Sequence, residues 1–134
     1  MKVIIQKEWF SVEQCEANPN KLYIFGDNSQ KHGKGGQAQI RDCVNAFGVA
    51  TKRAPTMSAT GFFYDDPYDL KSMIFDLNTL INIQDYEYIV FPKDGLGTGL
   101  SQMPEKSPKL FKLLCEILLI EYRIELTETG FKDD

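Results

Sequence analysis

Four short runs of apolar and β-branched residues alternate with segments of helical character, and this alternation constrains the fold more than any other feature. The runs lie at residues 3–5, 22–25, 48–51 and 88–91. Fully apolar runs of this length are typical of strands that are covered on both faces of a sheet. Their alternation with helices predicts an α/β fold of three layers, in which helices flank a mostly parallel sheet.

Helix signals lie between and after these runs. Ser11 opens a capping-box pattern, which predicts a short helix over residues 12–17. A polar residue followed by proline predicts that two longer helices begin after Asp66 and after Ser107. Residues 123–127 have room for a short closing strand. Apolar residues at helical spacing predict one further helix, on Ile40, Cys43, Val44 and Phe47.

Composition limits the classes of function. A chain of 134 residues predicts a single domain spanning residues 1–134, and a net charge of −4 disfavours nucleic acid as a partner. With one histidine and three scattered cysteines, ligands for zinc and members of a Ser-His-Asp triad are scarce, so we expect no metal and no cofactor. Sparse thiols, no long apolar run and no signal-peptide pattern predict a cytoplasmic protein without a membrane partner.

Two glycine-rich loops follow the second and the fourth apolar run. They span residues 26–36 and 92–101. In open α/β sheets ligands bind at the edge where strands end, and glycines let backbone N–H groups approach a phosphate closely. Neither loop is a Walker A motif or a complete GxGxxG motif, and either loop alone could simply make tight turns. Their joint presence favours a phosphate or pyrophosphate cradle.

Four segments of the chain resemble those of a known family, namely residues 7–10 (KEWF), 25–28 (FGDN) with 33–36 (GKGG), 51–53 (TKR) and 92–100 (PKDGLGTGL). The chain is similar to the macro domain, a module that binds ADP-ribose. The resemblance is closest to the branch that removes ADP-ribose from glutamate side chains through a lysine, and to small macro-like proteins of bacteria and phages. It implies a Rossmann-like fold, ADP-ribose or a related nucleotide as ligand, an ADP-ribosylated protein as a further partner, and the host cytoplasm as location for a phage protein.

The resemblance implies ligand contacts from the first half of the chain. Glu8 takes the place of the family's aspartate at the adenine amino group, and Trp9 or Phe10 packs near the adenine ring. The alternative for Trp9 is packing in the core or at the sheet edge. Asn28 takes the position that holds the distal ribose. The glycines that line this ribose and the diphosphate are then Gly33, Gly35 and Gly36.

The second half supplies the other phosphate contacts and the candidate catalytic residues. Lys52 takes the position of the family's nucleophilic lysine. Ser101 stands where the family has a catalytic aspartate, and a serine hydroxyl does not ionise near neutral pH. Asp94 and Glu105 are the nearest carboxylates, and we take Asp94 as the candidate. The second loop contributes ligand contacts from Gly95, Gly97, Thr98, Gly99 and Leu100.

Several candidates also have a purely structural interpretation. Asn28 at a strand end can form a local turn with its own loop. Lys52 and Arg53 can be a solvated basic pair. Cys43 and Cys115 fall on apolar faces of predicted helices and are expected to be inert buried thiols.

Three functions therefore stay open. The first is a nucleotide-binding protein that also hydrolyses ADP-ribosyl bonds through Lys52. The second is a binding or sequestering module without catalysis, which Ser101 favours. The third is a protein–protein adaptor that has lost the pocket, for which the aromatic run at residues 62–64 would supply a surface.

Overall fold

The apolar runs form one parallel sheet. The computed structural model describes residues 1–132, and it orders the strands of the main sheet as β1-β4-β2-β3, with every neighbouring pair parallel. The predicted α/β architecture is confirmed. The four strands are β1 (Lys2–Gln6), β2 (Lys21–Asn28), β3 (Ala46–Lys52) and β4 (Tyr88–Pro92).

Helices cover both faces of this sheet. One face packs against α1 and the first 3₁₀ helix, and the other packs against α2 and α4. Successive residues of a strand point to opposite faces, so Tyr23 and Phe25 join the first core while Leu22 and Ile24 join the second. The helices are α1 (Val12–Ala17), α2 (Pro67–Ile81), α3 (Met103–Lys106) and α4 (Pro108–Tyr122), with 3₁₀ helices at Gly36–Ile40 and Ala59–Gly61.

The predicted helix starts are correct, but one of them is capped from elsewhere in the chain. The Ser11 hydroxyl accepts a hydrogen bond from the Gln14 N–H at 3.1 Å, as the capping box predicts. The Asp66 carboxylate caps α2 in the same way. At α4 the Ser107 side chain makes no cap. The Asp65 carboxylate accepts instead from the backbone N–H groups of residues 109 and 110.

The helix predicted on Ile40, Cys43, Val44 and Phe47 is wrong. Ile40 ends the first 3₁₀ helix, residues 41–45 form turns, and Phe47 belongs to β3, where it pairs with Ile24. The Asn45 amide donates to the carbonyls of residues 15, 18 and 21, which anchors the turn to the end of α1. Tertiary hydrogen bonds and pairing with β2 thus override a helical period that extends over only eight residues.

The end of the chain forms a separate hairpin. The closing strand predicted within residues 123–127 is present as β5 (Leu126–Thr127). It pairs antiparallel with β6 (Gly130–Phe131) and does not join the main sheet. No helix within residues 1–132 is long and apolar enough to cross a membrane.

Candidate functional site at the carboxyl edge of the sheet

Parallel strands bring the predicted site segments to one edge of the sheet. All four strands of the main sheet end there. Across this edge, in spatial order, lie the segment after β1, the second glycine loop after β4, the first glycine loop after β2, and the segment after β3. Glu8, Asn28, Lys52 and Asp94 therefore share this edge, although they lie far apart in the sequence.

Trp9 lies on the backbone of the first glycine loop. The residue is 61 % exposed, and a Cβ atom at Gly36 would come within 3.3 Å of its ring. The neighbouring Phe10 is fixed to the first 3₁₀ helix, because its N–H donates to Gln37 Oε1 at 2.8 Å and its carbonyl accepts from Gln39 Nε2 at 2.5 Å. Trp9 thus presents an open aromatic face at the edge, next to a residue whose backbone is hydrogen-bonded at both its N–H and its carbonyl. Glu8 beside it is exposed.

The Asn28 side chain stabilises the turn that follows it. Its Nδ2 donates to the His32 carbonyl at 2.8 Å, and its Oδ1 accepts from the Gln30 N–H at 3.1 Å. The side chain is buried, whereas His32 is exposed. Asn28 therefore forms the local turn with its own loop that the structural interpretation predicts. Its contact with a ribose stays a prediction.

A buried ionic network, which the sequence reasoning missed, holds the base of the first loop. The Asp27 side chain is 1 % exposed and accepts two hydrogen bonds from the Arg41 guanidinium, at 2.9 and 2.6 Å. Lys31 lies 3.7 Å from Asp27 and 2.5 Å from Asp76. The Asp76 carboxylate also accepts from the Ala50 N–H at 2.8 Å. The sequence contained one signal for this network, because Asp27 follows an apolar run of β2. A carboxylate buried at such a position needs a cationic partner.

The glycines of the two loops fall into two groups. Gly95 and Gly97 have φ of +101° and +75°, and a Cβ at either position would strike neighbouring side chains, so both are needed for the shape of the second loop. Gly35 and Gly99 differ, because a Cβ there would meet no atom within 4 Å. These two glycines border open space at the edge of the sheet. Leu100 next to Gly99 is 73 % exposed.

The remaining loop positions are more ordinary. The Thr98 hydroxyl donates to the Asp94 carbonyl at 2.5 Å and so closes the second loop on itself. Gly33 has a φ of +96° and lies near Pro55, in the segment that follows β3. The first loop thus contacts both the segment after β1, through Gly36, and the segment after β3.

Lys52 is buried at the end of β3. The residue is 9 % exposed, and its Nζ donates to the Thr56 carbonyl at 2.8 Å and lies 5.0 Å from the centre of the Phe62 ring. Within residues 1–132 no carboxylate pairs with this ammonium group. Burial lowers the pKa of Lys52. The alternative interpretation of Lys52 and Arg53 as a solvated basic pair is wrong, because Lys52 is buried and Arg53 forms ion pairs with Asp66 and Asp69.

The pKa of Lys52 makes stability depend on pH. Its folded-state pKa lies below the unfolded value of about 10.4, so between the two the unfolded chain binds more protons and stability rises with pH. We expect the free energy of unfolding of the native protein to rise relative to that of Lys52→Met as pH increases through this window. Urea unfolding of both proteins from neutral pH to about pH 10 measures the difference. A difference that stays constant over this range would contradict the assignment.

The structure does not place the two candidate catalytic residues on neighbouring strands. Lys52 ends β3 and Asp94 follows β4, and β2 lies between them, so their backbones are about two strand spacings or 10 Å apart. Asp94 and Glu105 are both exposed. The Ser101 hydroxyl lies 2.7 Å from that of Thr51, the residue before Lys52.

Among the surface cavities that residues 1–132 form, one reaches the first glycine loop at Lys34, and two lie farther from the candidate site. One of about 560 Å³ lies beside α1, one of about 220 Å³ between α2 and α4, and one of about 520 Å³ beside β1 and the end of α4. The candidate site itself is an open rim of loops. Its assignment rests on the strand topology and on the chemistry of its residues. Among residues 1–132, no group of three or more His, Cys, Asp or Glu residues is arranged to hold a metal ion.

The comparison with known families covers most of these features. DUF7831, a family of unknown function, matches residues 5–117, a span that contains both glycine loops, Lys52 and most of α4. No curated protein and no solved structure matches the chain significantly. The macro-domain resemblance therefore stays a prediction. Because the match extends over more than half of its length, the chain belongs to the DUF7831 family.

Proposed function

We propose that the protein binds a nucleotide of the ADP-ribose class on the carboxyl edge of its sheet, between the two glycine loops. One observation carries the proposal: both loops and Trp9 meet at this edge, and Gly35 and Gly99 border unfilled space there. Glycine backbone at the ends of parallel strands is a usual setting for a diphosphate, and an exposed indole is a usual surface for a base.

The charge distribution at the edge favours an anionic ligand. Most cations there already have carboxylate partners, such as Lys31 with Asp76 and Lys34 with Asp42. Lys52 and Lys106 differ from these cations in their surroundings. Their ammonium groups lie 5.0 and 5.2 Å from the centre of the Phe62 ring. In the described part of the chain neither lysine pairs with a carboxylate. Unpaired cations in a chain of net charge −4 are suited to a bound anion.

Trp9 provides a direct test, because it is the only tryptophan of the chain. We expect its fluorescence to change saturably when ADP-ribose or AMP is added, since the adenine would stack on the exposed indole. Ribose 5-phosphate, which lacks the base, should leave the emission unchanged. Trp9→Ala should weaken binding measured by calorimetry by roughly tenfold, because stacking on an aromatic side chain contributes about 1–3 kcal/mol per base. Unaltered affinity in Trp9→Ala would remove Trp9 from the site.

Hydrolysis through Lys52 is a second candidate function. The observation that favours it is a buried amine with a lowered pKa and no carboxylate partner among the described residues. The amine would have to release the Thr56 carbonyl and condense with the ring-opened aldehyde of the ribose, with loss of water. Borohydride reduction during incubation with ADP-ribose would then give a covalent adduct on Lys52. The Lys52→Met variant would give none, and no adduct on either protein would favour binding without catalysis.

The adaptor function loses its main support. Phe62 and Phe63 are 3 % and 0 % exposed, so the aromatic run at residues 62–64 belongs mostly to the core. Only Tyr64 reaches solvent, and its hydroxyl donates to the Ala59 carbonyl at 2.6 Å. This run therefore offers no continuous aromatic surface to a partner protein.

A further inference from the structure

Cys15 and Cys43 come into contact, although they lie far apart in the sequence. Cys15 on α1 is 0 % exposed, and Cys43 lies half-buried in the turn before β3. Cys43 packs against the buried core cluster that contains Cys15. The third cysteine, Cys115, lies on α4 in the opposite helical layer. The two cysteines in contact were not foreseen from the sequence, because the helix predicted around Cys43 does not exist.

Cys15 and Cys43 line the same surface cavity. The cavity of about 560 Å³ is lined by both cysteines and also by Lys34 and Asp42. Its volume lies within the range of about 300–1,000 Å³ that is usual for small-molecule sites. Both cysteines line the cavity, but Cys15 is 0 % exposed, whereas Cys43 is partly exposed. A reagent in this cavity therefore meets Cys43 first.

We propose that this cavity is a thiol-modification site, at which Cys43 and Cys15 form a reversible disulfide by exchange with a low-molecular-weight disulfide. The Cys43 thiolate attacks one sulfur of the small disulfide, whose S–S bond breaks and releases one thiol. The Cys15 thiol then loses its proton and attacks Cys43 Sγ, which releases the second small thiol. Two electrons pass from the protein to the small disulfide, which leaves as two thiols.

The environment of each sulfur fixes its role. Burial and the neighbouring Cys43 raise the pKa of Cys15 to about 12, so Cys15 is a poor first nucleophile. It becomes effective only when the mixed disulfide on Cys43 is held beside it. The resulting bond would join α1 to the turn before β3 and enclose β2 and the first glycine loop. Such a link restricts the unfolded chain and is expected to raise the melting temperature by several degrees.

The test treats the reduced, folded protein with oxidised glutathione, blocks the remaining thiols with an alkylating agent, and identifies the products by mass spectrometry. We expect the wild-type protein to lose two free thiols, to keep no glutathione, and to yield a peptide pair linked through Cys15 and Cys43. Cys15→Ser should accumulate glutathione on Cys43, because nothing resolves the mixed disulfide. Cys115→Ser should behave as the wild-type protein does.

Other outcomes would overturn the proposal. These are three free thiols after treatment, modification of Cys115 alone, or a glutathione adduct on Cys43 that persists equally with and without Cys15. If Cys15→Ser fails to fold, Cys15→Ala provides the same test with a small apolar side chain. The measurement needs no nucleotide, so its result is independent of the proposed function.

Discussion

Gly99→Glu is expected to weaken the binding of ADP-ribose by at least about 100-fold while the protein remains folded. A side chain at Gly99 enters open space, because a Cβ there meets no atom within 4 Å and the residue does not have a positive φ. The fold should therefore tolerate glutamate. The carboxylate would lie where the account places the diphosphate, and two like charges 4 Å apart near a protein surface repel by about 4 kcal/mol. Calorimetric titration and a thermal melt measure the two effects separately.

The choice of Gly99 rests on its difference from Gly97. At Gly97 a Cβ would strike Met103, so a substitution there would confound loss of binding with loss of structure. The matched control is Gln84→Glu, which adds the same charge at an exposed position in the connection that enters β4, at the opposite edge of the sheet. Native affinity in Gln84→Glu with reduced affinity in Gly99→Glu supports the site. Native affinity in both would exclude the second loop from it.

Arg41→Ala is expected to lower the free energy of unfolding by about 3–5 kcal/mol, because it leaves the Asp27 carboxylate buried without its main partner. The Asp27 side chain is 1 % exposed, and among residues 1–132 Lys31 at 3.7 Å would be its remaining cationic partner. Arg41 also lies 5.4 Å from the centre of the Phe25 ring and donates to the Gly33 carbonyl at 2.8 Å. The variant should therefore also loosen the first glycine loop. Urea unfolding measures the loss.

Two variants separate a buried pair from an exposed one. Lys34→Ala removes a pair whose side chains are 61 % and 73 % exposed, and it should leave the urea midpoint unchanged. The double variant Asp27→Leu with Arg41→Met removes both buried charges and should be more stable than Arg41→Ala alone. If Arg41→Ala and Lys34→Ala destabilise the protein equally little, the network does not hold the loop.

The sheet could be predicted because each of its strands contains a continuous apolar run. Residues 22–25 and 88–91 contain only apolar and aromatic side chains, and a strand between two helical layers is the simplest way to bury them. The segment around Cys43 could not be predicted in this way. Its apolar spacing fits a helix, but the pairing of Ala46 with Tyr23 and the three hydrogen bonds of Asn45 depend on distant segments.

Of the candidate site, only the placement of its segments at one edge of the sheet could be predicted from the order of elements. Once the strands are parallel, Trp9, Lys52 and both loops must share one edge, and this follows from the order of elements alone. The burial of Lys52 does not follow from the order of elements. It arises because the chain folds back after β3 and Phe62 forms a β-bridge with Lys52. The pairing of Asp27 with Arg41 likewise depends on the turn that replaces the predicted helix. Ionic partners are set by three-dimensional proximity, which spacing in the sequence does not encode.

Isothermal titration of the purified protein with ADP-ribose, with AMP and NAD as comparators, tests the central claim most directly. We expect saturable binding of ADP-ribose with a dissociation constant in the micromolar range, which corresponds to a binding free energy of about −8 kcal/mol. AMP should bind more weakly, because it lacks the second phosphate and the distal ribose. No heat and no thermal shift with any of the three ligands would contradict the account. The glycine loops would then be elements of the fold alone.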